Sequence, residues 1–295
     1  MTKHHGLLEG VRVLDLADEK GVFCGKVLGD YGADVIKVER PGGDPARNIG
    51  PFFKGMADPE KSLFWFATNT SKRGITLNIQ VPDGQELFRR LVQKADIVVE
   101  SFEPGYMDCL GLGYEDLKKV KADIVFTSIT AFGQTGPYAH YQATDLVGAA
   151  MGGMARILGE FGRPPVRLGP DPQSYFQAGL QGALGSTIAY YHRDLTGVGQ
   201  HVDVSMQDAV ELTLMNAVEF AEFLNIDLAG TGQIVLTPTK DGLVTSRLIQ
   251  ECKDGFAYVT VGGGAFLGMA LASRELVRWA NEEGFALELK DVDWT

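Results

Sequence analysis

The first half of the chain alternates short apolar runs with amphipathic stretches. Runs of mostly β-branched or aliphatic residues predict strands at 11–16, 34–39, 74–79, 96–101 and 123–128. Between them, apolar residues recur every three or four positions and predict helices at 21–31, 85–94 and 114–121. Strands that alternate with helices at this spacing indicate a parallel sheet with helices on both faces. The sequence therefore predicts an α/β fold.

The second half of the chain is richer in predicted helix. Its small residues, mostly Ala and Gly, indicate close packing of helices against one another or against another chain. Helices are predicted at 145–158, 177–192, 208–224 and 274–283, and strands at 201–206 and 256–261. Residues 229–243 combine Gly, Thr, Pro and Lys and predict a linker, and the glycine run at 262–264 predicts a turn.

Composition and charge narrow the function classes. The chain has 295 residues, of which 45% are hydrophobic and 22% charged, as in ordinary soluble globular proteins. Its net charge of -11 argues against a nucleic-acid-binding protein, which needs a basic face. No apolar run reaches the length of a membrane span, and the N-terminus lacks an apolar leader, so we predict a cytoplasmic protein. Three dispersed cysteines form no disulfide or metal-binding pattern, and we predict no metal.

The loop after the first predicted strand argues against a dinucleotide site. Residues 17–21 lack the G-x-G-x-x-G pattern that brings a backbone close to a pyrophosphate. Two carboxylates, Asp18 and Glu19, precede the helix and would repel an anion there. Ser174 and Ser205 have no G-x-S-x-G context, so a hydrolase triad has no local support either.

Ordered motifs along the chain carry a resemblance to a known family. They lie at 8–16, 32–44, 69–78, 100–105, 128–137 and 196–209. Together they resemble the family III CoA-transferases, also called the CaiB/BaiF or formyl-CoA transferase family. The resemblance extends from about residue 7 to about residue 265.

The resemblance implies a particular fold and assembly. We expect a Rossmann-like large domain with a parallel sheet, a smaller α+β domain, and two subunits that interlock. On this basis residues 1–200 form the large domain, 201–245 a connecting helix and linker, and 246–295 the start of the small domain. Family chains continue further, so the C-terminal remainder of the small domain is expected to be absent from this sequence.

The family mechanism depends on one aspartate, and the resemblance finds none at that position. The aspartate would attack a CoA thioester and form an acyl-enzyme anhydride, which is covalent catalysis by a carboxylate. It should stand four residues before Gly179, where this chain has Tyr175. Asp171, another four residues upstream, is a weak candidate for the role. Racemase members would add a histidine where this chain has Thr144.

The positions that bind CoA in the family are also altered. The resemblance implies CoA contacts at Arg40, Leu77 and Phe102. Of four cations expected near the CoA phosphates, only Arg40 is present; the others are replaced by Gln80, Cys109 and Gln142. Each lost charge-assisted contact costs about 1.5–3 kcal/mol of binding free energy. Joint loss of the nucleophile and these charges indicates that this chain no longer uses the site.

The sequence therefore predicts the non-nucleophilic subunit of a heteromeric CoA-transferase, as in the benzylsuccinate CoA-transferase type. A homologous catalytic subunit would supply the aspartate and bind most of the CoA thioester, for example succinyl-CoA. A small carboxylic acid would be the acceptor. Three alternatives stay open: a self-sufficient homodimer that uses Asp171, a CoA-dependent isomerase or racemase, and a non-enzymatic acyl-CoA-binding protein.

Overall fold

A computed structural model describes residues 6–160, 162–232, 234–239, 242–260 and 267–293. The chain divides into two units. The first comprises Met1–Gly159 and Pro164–Gly230, and the second comprises Glu160–Arg163 and Thr231–Thr295. The predicted division at residues 200 and 245 stays a prediction of domain organisation.

The first unit is built on a six-stranded parallel sheet, which confirms the predicted fold class. Its strands are β1 (Arg12–Asp15), β2 (Asp34–Glu39), β3 (Lys72–Thr76), β4 (Ile97–Glu100), β5 (Val125–Thr130) and β6 (His201–Ser205). They are ordered β3-β2-β1-β4-β5-β6, and each neighbouring pair is parallel. The strand predicted at 201–206 thus belongs to the same sheet as the earlier ones. This order is that of doubly wound nucleotide-binding folds.

Helices cover both faces of this sheet. The described helices of the first unit are α1 (Val22–Asp30), α2 (Leu63–Thr68), α3 (Pro82–Val92), α4 (Tyr106–Cys109), α5 (Tyr114–Val120), α6 (Asp145–Met151), α7 (Met154–Ile157), α8 (Gln173–Thr196), α9 (Met206–Leu212) and α10 (Met215–Leu224). One core packs α1 and α8 against the sheet, and the other packs α3 and α5 against the opposite face. Alternate residues of one strand divide between the two cores, as Val13 and Leu14 do.

The small residues of α8 permit its close packing on α1 and β5. A Cβ atom at Gly179 would lie 2.8 Å from the Cβ of Phe23, and one at Gly182 would lie 2.7 Å from Cδ1 of Ile129. Such distances leave no room for a side chain. The small face predicted for this helix therefore packs inside the chain, and its other face is apolar and exposed.

Two predicted helices are each broken in the structure. The helix expected at 145–158 divides into α6 and α7 at Gly152 and Gly153. Gly153 has a φ of 87°, which glycine adopts without strain, and Val210 leaves no space for a side chain at Gly152. The helix expected at 208–224 divides into α9 and α10.

In its described residues, the second unit contains two antiparallel strand pairs and one α-helix. Strands β7 (Ile234–Thr239) and β8 (Gly242–Arg247) pair, as do β9 (Ile249–Cys252) and β10 (Gly255–Tyr258), before α11 (Leu267–Glu282). Strand β7 lies within the stretch predicted as a linker. The Gly, Thr and Pro residues of that stretch favoured a linker over a strand, although it also contains a short apolar run. The predicted turn at 262–264 lies outside the described residues. Within the described ranges, no helix has both the length and the apolar character required to cross a membrane.

Four charged side chains form an ion network inside the first unit. Lys72 Nζ lies 2.8 Å from Asp15 Oδ2, and Lys37 Nζ lies 2.9 Å from Asp44 Oδ2 and 3.9 Å from Asp15 Oδ1. All four carboxylate and ammonium groups are almost inaccessible to solvent. Burial opposes the charge on Lys37, but Asp15 and Asp44 outweigh it and raise the pKa of Lys37. We call Asp15, Lys37, Asp44 and Lys72 the interior ion network.

Candidate functional site

The candidate site lies where the parallel strands end. From β1 the chain proceeds to β2 and β3 on one side of the sheet, and then returns to β4 on the other. Ligands of open α/β sheets bind in the crevice at such a reversal, beyond the carboxyl ends of the strands. Three cavities of the first unit lie around this edge.

The first cavity brings together most of the residues predicted to contact CoA. It has a volume of about 250 Å³, and its lining includes Arg40, Leu77, Gln80, Phe102 and Tyr106. The Phe102 and Tyr106 rings lie 4.7 Å apart, and Gln80 Nε2 donates a hydrogen bond of 3.1 Å to the Tyr106 hydroxyl. We call this the Arg40 cavity. The cavity therefore combines the Arg40 cation with an aromatic pair, and it has the Gln80 amide where a second cation was expected.

The other two positions predicted to have lost a cation lie elsewhere. Cys109 is exposed at the end of α4, and Gln142 is exposed in the segment before α6. Neither belongs to the lining of the Arg40 cavity. The structure thus unites Arg40, Leu77, Gln80 and Phe102, but not Cys109 or Gln142, and their roles toward CoA stay predictions.

The second cavity lies over the start of α8 and contains the position predicted for the nucleophile. It has a volume of about 640 Å³, and Tyr175, Asp171 and Glu19 all line it. Tyr175 is half-buried; burial raises the pKa of its phenol, and the nearby Glu19 carboxyl adds to the rise. We call this the Tyr175 cavity. Its chemistry at neutral pH is that of an uncharged phenol beside carboxyl groups.

Asp145 fixes the two helices that border the Tyr175 cavity. Its Oδ1 accepts a hydrogen bond of 2.9 Å from the Ser174 amide, and its backbone carbonyl accepts one of 2.8 Å from the Ser174 hydroxyl. Its Oδ2 accepts from Arg167, with Nε at 3.1 Å and Nη2 at 3.0 Å. The first turns of α6 and α8 are therefore held together, and the Arg167 guanidinium is held at the cavity.

Glu19 lines the same cavity, and sequence reasoning did not place it in a site. It lies in the turn between β1 and α1, and its Oε2 is buried without a hydrogen-bond partner among the described residues. Burial raises the pKa of Glu19, and the adjacent Asp18 raises it further. Asp18, by contrast, is held by a hydrogen bond of 2.6 Å from the Ser101 hydroxyl. In the sequence, the adjacent acids Asp18 and Glu19 were the available signal, but we interpreted them only as unfavourable to phosphate binding.

The third cavity contains a hydrogen-bonded row of polar side chains. It has a volume of about 380 Å³ and is lined by Glu100, Ser128 and His201. The Ser128 hydroxyl lies 2.9 Å from His201 Nε2 and also bonds to Glu100. Burial raises the pKa of Glu100 to about 7, although hydrogen bonds from Ser128 and the Phe102 amide oppose the rise. Among the described residues, no group of three or more His, Cys, Asp or Glu side chains is arranged to hold a metal ion.

Comparison with known sequences identifies relatives over most of the chain. The model of CoA-transferase family III matches residues 8–290. The chain is 38% identical to the BbsE subunit of succinyl-CoA:(R)-benzylsuccinate CoA-transferase from Thauera aromatica, over 92% of this chain and 63% of the relative. It is 40% identical to succinyl-CoA–D-citramalate CoA-transferase from Chloroflexus aurantiacus, over 72% of this chain and 52% of the relative. The chain thus spans between half and two thirds of these relatives.

Comparison with solved structures gives the same fold. A CaiB/BaiF family protein from Brucella suis superposes with a TM-score of 0.77 at 32% identity, over 96% of this chain and 73% of that protein. A hypothetical protein from Mycobacterium tuberculosis superposes with a TM-score of 0.74 at 26% identity, over 98% of this chain and 72% of that protein.

Proposed function

The chain belongs to CoA-transferase family III, and we propose that it is the non-nucleophilic subunit of a heteromeric CoA-transferase. The complete enzyme would move CoA from an acyl-CoA such as succinyl-CoA to a small carboxylic acid. A homologous partner subunit would contribute the nucleophilic aspartate and bind most of the CoA thioester. Relatives named as subunits, among them BbsE and the two subunits of succinyl-CoA–L-malate CoA-transferase, support a two-subunit assembly.

Tyr175 is the observation that carries this proposal. In the mechanism that the family resemblance implies, the nucleophile must first take the acyl group and then take CoA onto its own carbonyl carbon. A carboxylate has that carbon, but a phenol does not. Tyr175 lines the cavity at the start of α8, and burial and Glu19 keep its phenol protonated at neutral pH. It can therefore occupy the place of the nucleophile without replacing its chemistry.

The charges around the Arg40 cavity support the same conclusion. Arg40 is exposed at this cavity, and Gln80 stands where the resemblance expects a second cation. A CoA molecule carries several phosphate charges, and charge-assisted hydrogen bonds from Arg or Lys are the contacts that hold such groups. With these contacts reduced and a net chain charge of -11, we expect the isolated chain to bind CoA weakly.

The exposed face of α8 fits a large partner. Five apolar side chains recur along it every three or four residues and are 47% to 68% exposed. They are Leu180, Leu184, Ile188, Tyr191 and Leu195. A continuous apolar stripe of four turns is more than a soluble monomer usually leaves in water. We infer that this stripe, the α8 stripe, is covered by the partner subunit.

The proposal is tested by reconstitution. The chain is purified alone and after co-expression with a homologous subunit that carries the aspartate, and each preparation is assayed for CoA transfer from succinyl-CoA to a panel of small carboxylic acids. We expect activity and a stable complex only in the second preparation. Full transferase activity of the chain alone would overturn the proposal.

A matched pair of variants tests the α8 stripe in the same experiment. Ile188→Asp places a charge in the centre of the stripe and should abolish co-purification of the partner. Asp194→Asn changes an exposed polar residue of the same helix and should leave the complex intact. Equal behaviour of the two variants would remove the stripe from the interface.

One observation supports the alternative of a self-sufficient homodimer that uses Asp171. Asp171 lines the Tyr175 cavity together with Tyr175, so a carboxylate of this chain does reach the same space. It is exposed and lies outside α8, whereas a nucleophile needs a fixed position. Loss of activity on Asp171→Asn in a pure, active preparation of this chain would favour that alternative.

A further inference from the structure

Three polar side chains at the third cavity form a hydrogen-bonded row across neighbouring strands. Glu100 at the end of β4 pairs in register with Ser128 of β5, so the two side chains lie side by side on one face of the sheet. Ser128 Oγ lies 2.9 Å from Nε2 of His201, at the start of β6, and also bonds to Glu100. Glu100 and Ser128 are both buried. We call Glu100, Ser128 and His201 the polar row.

The polar row is fixed at both ends. Glu100 Oε2 accepts a hydrogen bond of 2.7 Å from the Phe102 amide. The His201 ring packs against Tyr114 and Phe126, and each pair of ring centroids is 5.4 Å apart. These contacts hold Nε2 of the imidazole toward the serine hydroxyl. Its Nδ1 has no hydrogen-bond partner among the residues that the structure describes and is left for water in the cavity.

The Ser128 hydroxyl has one proton and donates it to one neighbour at a time. When Glu100 is protonated, it donates to Ser128 Oγ, and the hydroxyl donates to His201 Nε2. A neutral His201 then has its proton on Nδ1. When Glu100 is ionised, it accepts the hydroxyl proton, and His201 completes the row by donating from Nε2. The charge on Glu100 therefore selects the tautomer of neutral His201, because the hydrogen bond at one ring nitrogen determines which nitrogen is protonated.

We propose that the polar row is a proton-linked switch, through which the proton of buried Glu100 leaves to the third cavity and the tautomer of His201 reverses. The Glu100 proton passes to Ser128 Oγ, the Ser128 proton passes to Nε2 of His201, and the Nδ1 proton passes to water. One O–H bond and one N–H bond are broken and reformed along the row, and one proton is released in total. The nitrogen that His201 offers to the cavity changes from a hydrogen-bond donor to an acceptor.

The charges around the polar row place this change near neutral pH. Burial raises the pKa of Glu100 to about 7 and lowers the pKa of His201 from its ordinary value of 6.5. Neutral His201 therefore coexists with both states of Glu100. The acids and the second histidine that surround the row come from the turn after β1, the loop after β4, α4, α5, β6 and the segment before α6. They are Asp18, Glu103, Asp108, Glu115, His140 and Asp203.

The ring-nitrogen chemical shifts of His201 test the switch directly. The full chain is labelled with ¹⁵N, and two-bond ¹H–¹⁵N spectra from pH 5.5 to pH 9 distinguish the two neutral tautomers from the imidazolium. His201→Gln identifies the signals. We expect the Nδ1–H form of neutral His201 to give way to the Nε2–H form with a midpoint near pH 7. The Phe102 amide shift should change with the same midpoint, since this amide donates to Glu100.

Two variants separate the switch from an ordinary titration. In Glu100→Gln, the Phe102 amide takes the carbonyl oxygen of the glutamine, so its NH₂ group faces Ser128 as a permanent donor. Neutral His201 should then stay in the Nδ1–H form up to pH 9. Ser128→Ala interrupts the row, and the tautomer ratio of neutral His201 should no longer change near pH 7. This second variant keeps the test open if the first does not fold, which circular dichroism determines.

Glu115→Gln is the matched control. It removes a carboxylate that lines the same cavity and acts on His201 through charge alone. It should move the protonation of His201 and leave the tautomer change in place. This control distinguishes a hydrogen-bonded relay from a general effect of nearby charge.

Several results would overturn the inference. These are a single tautomer of neutral His201 at every pH in the wild type, and a tautomer change that persists in Ser128→Ala or in Glu100→Gln. The switch requires neither a partner subunit nor CoA transfer, so it goes beyond the proposed function. Its failure would leave the reconstitution test intact, and an active lone chain would reject the half-enzyme proposal alone.

Discussion

Two groups of positions in the first unit differ in whether they hold charged side chains. In the interior ion network, Asp15, Lys37, Asp44 and Lys72 are all present and contact one another directly. At the edge of the sheet, where a CoA-transferase of this family would hold its nucleophile and its phosphate-binding cations, the resemblance finds uncharged residues at every such position except Arg40. Tyr175 and Gln80 are the two that line cavities.

The difference indicates which charges the fold itself requires. Buried charges that satisfy one another cannot be lost singly, because the remaining partner would be left uncompensated in a low-dielectric interior. A charge that would contact only a ligand can be lost without harm to the fold. On the proposed function, we therefore interpret the sheet edge as a family site without its nucleophile and most of its cations. The buried charges that stabilise the fold are all present.

The largest expected effect comes from breaking the interior network. Asp15→Asn leaves Lys37 and Lys72 buried with one carboxylate fewer, and we expect it to lower the free energy of unfolding of the first unit by about 3–5 kcal/mol. Urea denaturation followed by intrinsic fluorescence measures this change. Asp116→Asn, which removes an exposed ion pair with Lys119 on α5, is the control and should not move the midpoint. A small change in the free energy of unfolding for Asp15→Asn would mean that the fold does not depend on its buried charges.

The second effect concerns Glu100, a buried carboxyl group at the end of β4. Glu100 has an ordinary pKa of 4.5 in the unfolded chain, whereas burial raises it to about 7 in the folded protein. Between these values the folded state retains a proton that the unfolded chain has released. The free energy of unfolding should therefore fall by about 3 kcal/mol as the pH rises from about 4.5 to about 7.

Glu100→Gln should remove that part of the pH dependence. The measurement is the difference between wild-type and variant unfolding free energies from pH 4.5 to pH 8, since other groups contribute equally to both. The difference in unfolding free energy should change between about pH 4.5 and about pH 7 and remain constant above that. A constant difference throughout would show that Glu100 is ionised in the folded protein at all these pH values.

Particular elements show how far the sequence determines this structure. The alternation of apolar runs predicted the parallel sheet, since the runs that form β1, β4 and β5 are buried on both faces and each crossover needs a helix. Gly152 and Gly153 could not be recognised as a helix break, because the contact with Val210 that excludes a side chain there is tertiary. Glu19 was visible as an acid, but its missing hydrogen-bond partner depends on every residue around it.

A smaller effect tests whether the site can be restored. Gln80→Lys introduces a cation into the lining of the Arg40 cavity, close to Tyr106. We expect it to tighten binding of CoA to the isolated chain by about tenfold, or about 1.4 kcal/mol, with a steeper dependence on salt. Calorimetric titration at two ionic strengths measures both. Dephospho-CoA is a useful control ligand, since it has fewer phosphate charges and should gain less.

The smallest expected effect comes from a cation placed outside that lining. The resemblance predicts that Cys109 replaces an arginine near the CoA phosphates, but Cys109 is exposed at the end of α4 and does not line the Arg40 cavity. An exposed charge at a distance is screened by salt, so Cys109→Arg should tighten CoA binding by about twofold or less. Cys109→Gln is the matched neutral variant. A tenfold gain from Cys109→Arg would mean that bound CoA extends beyond the Arg40 cavity to α4, and the edge of the sheet would then retain more of the family site than Tyr175 and Gln80 indicate.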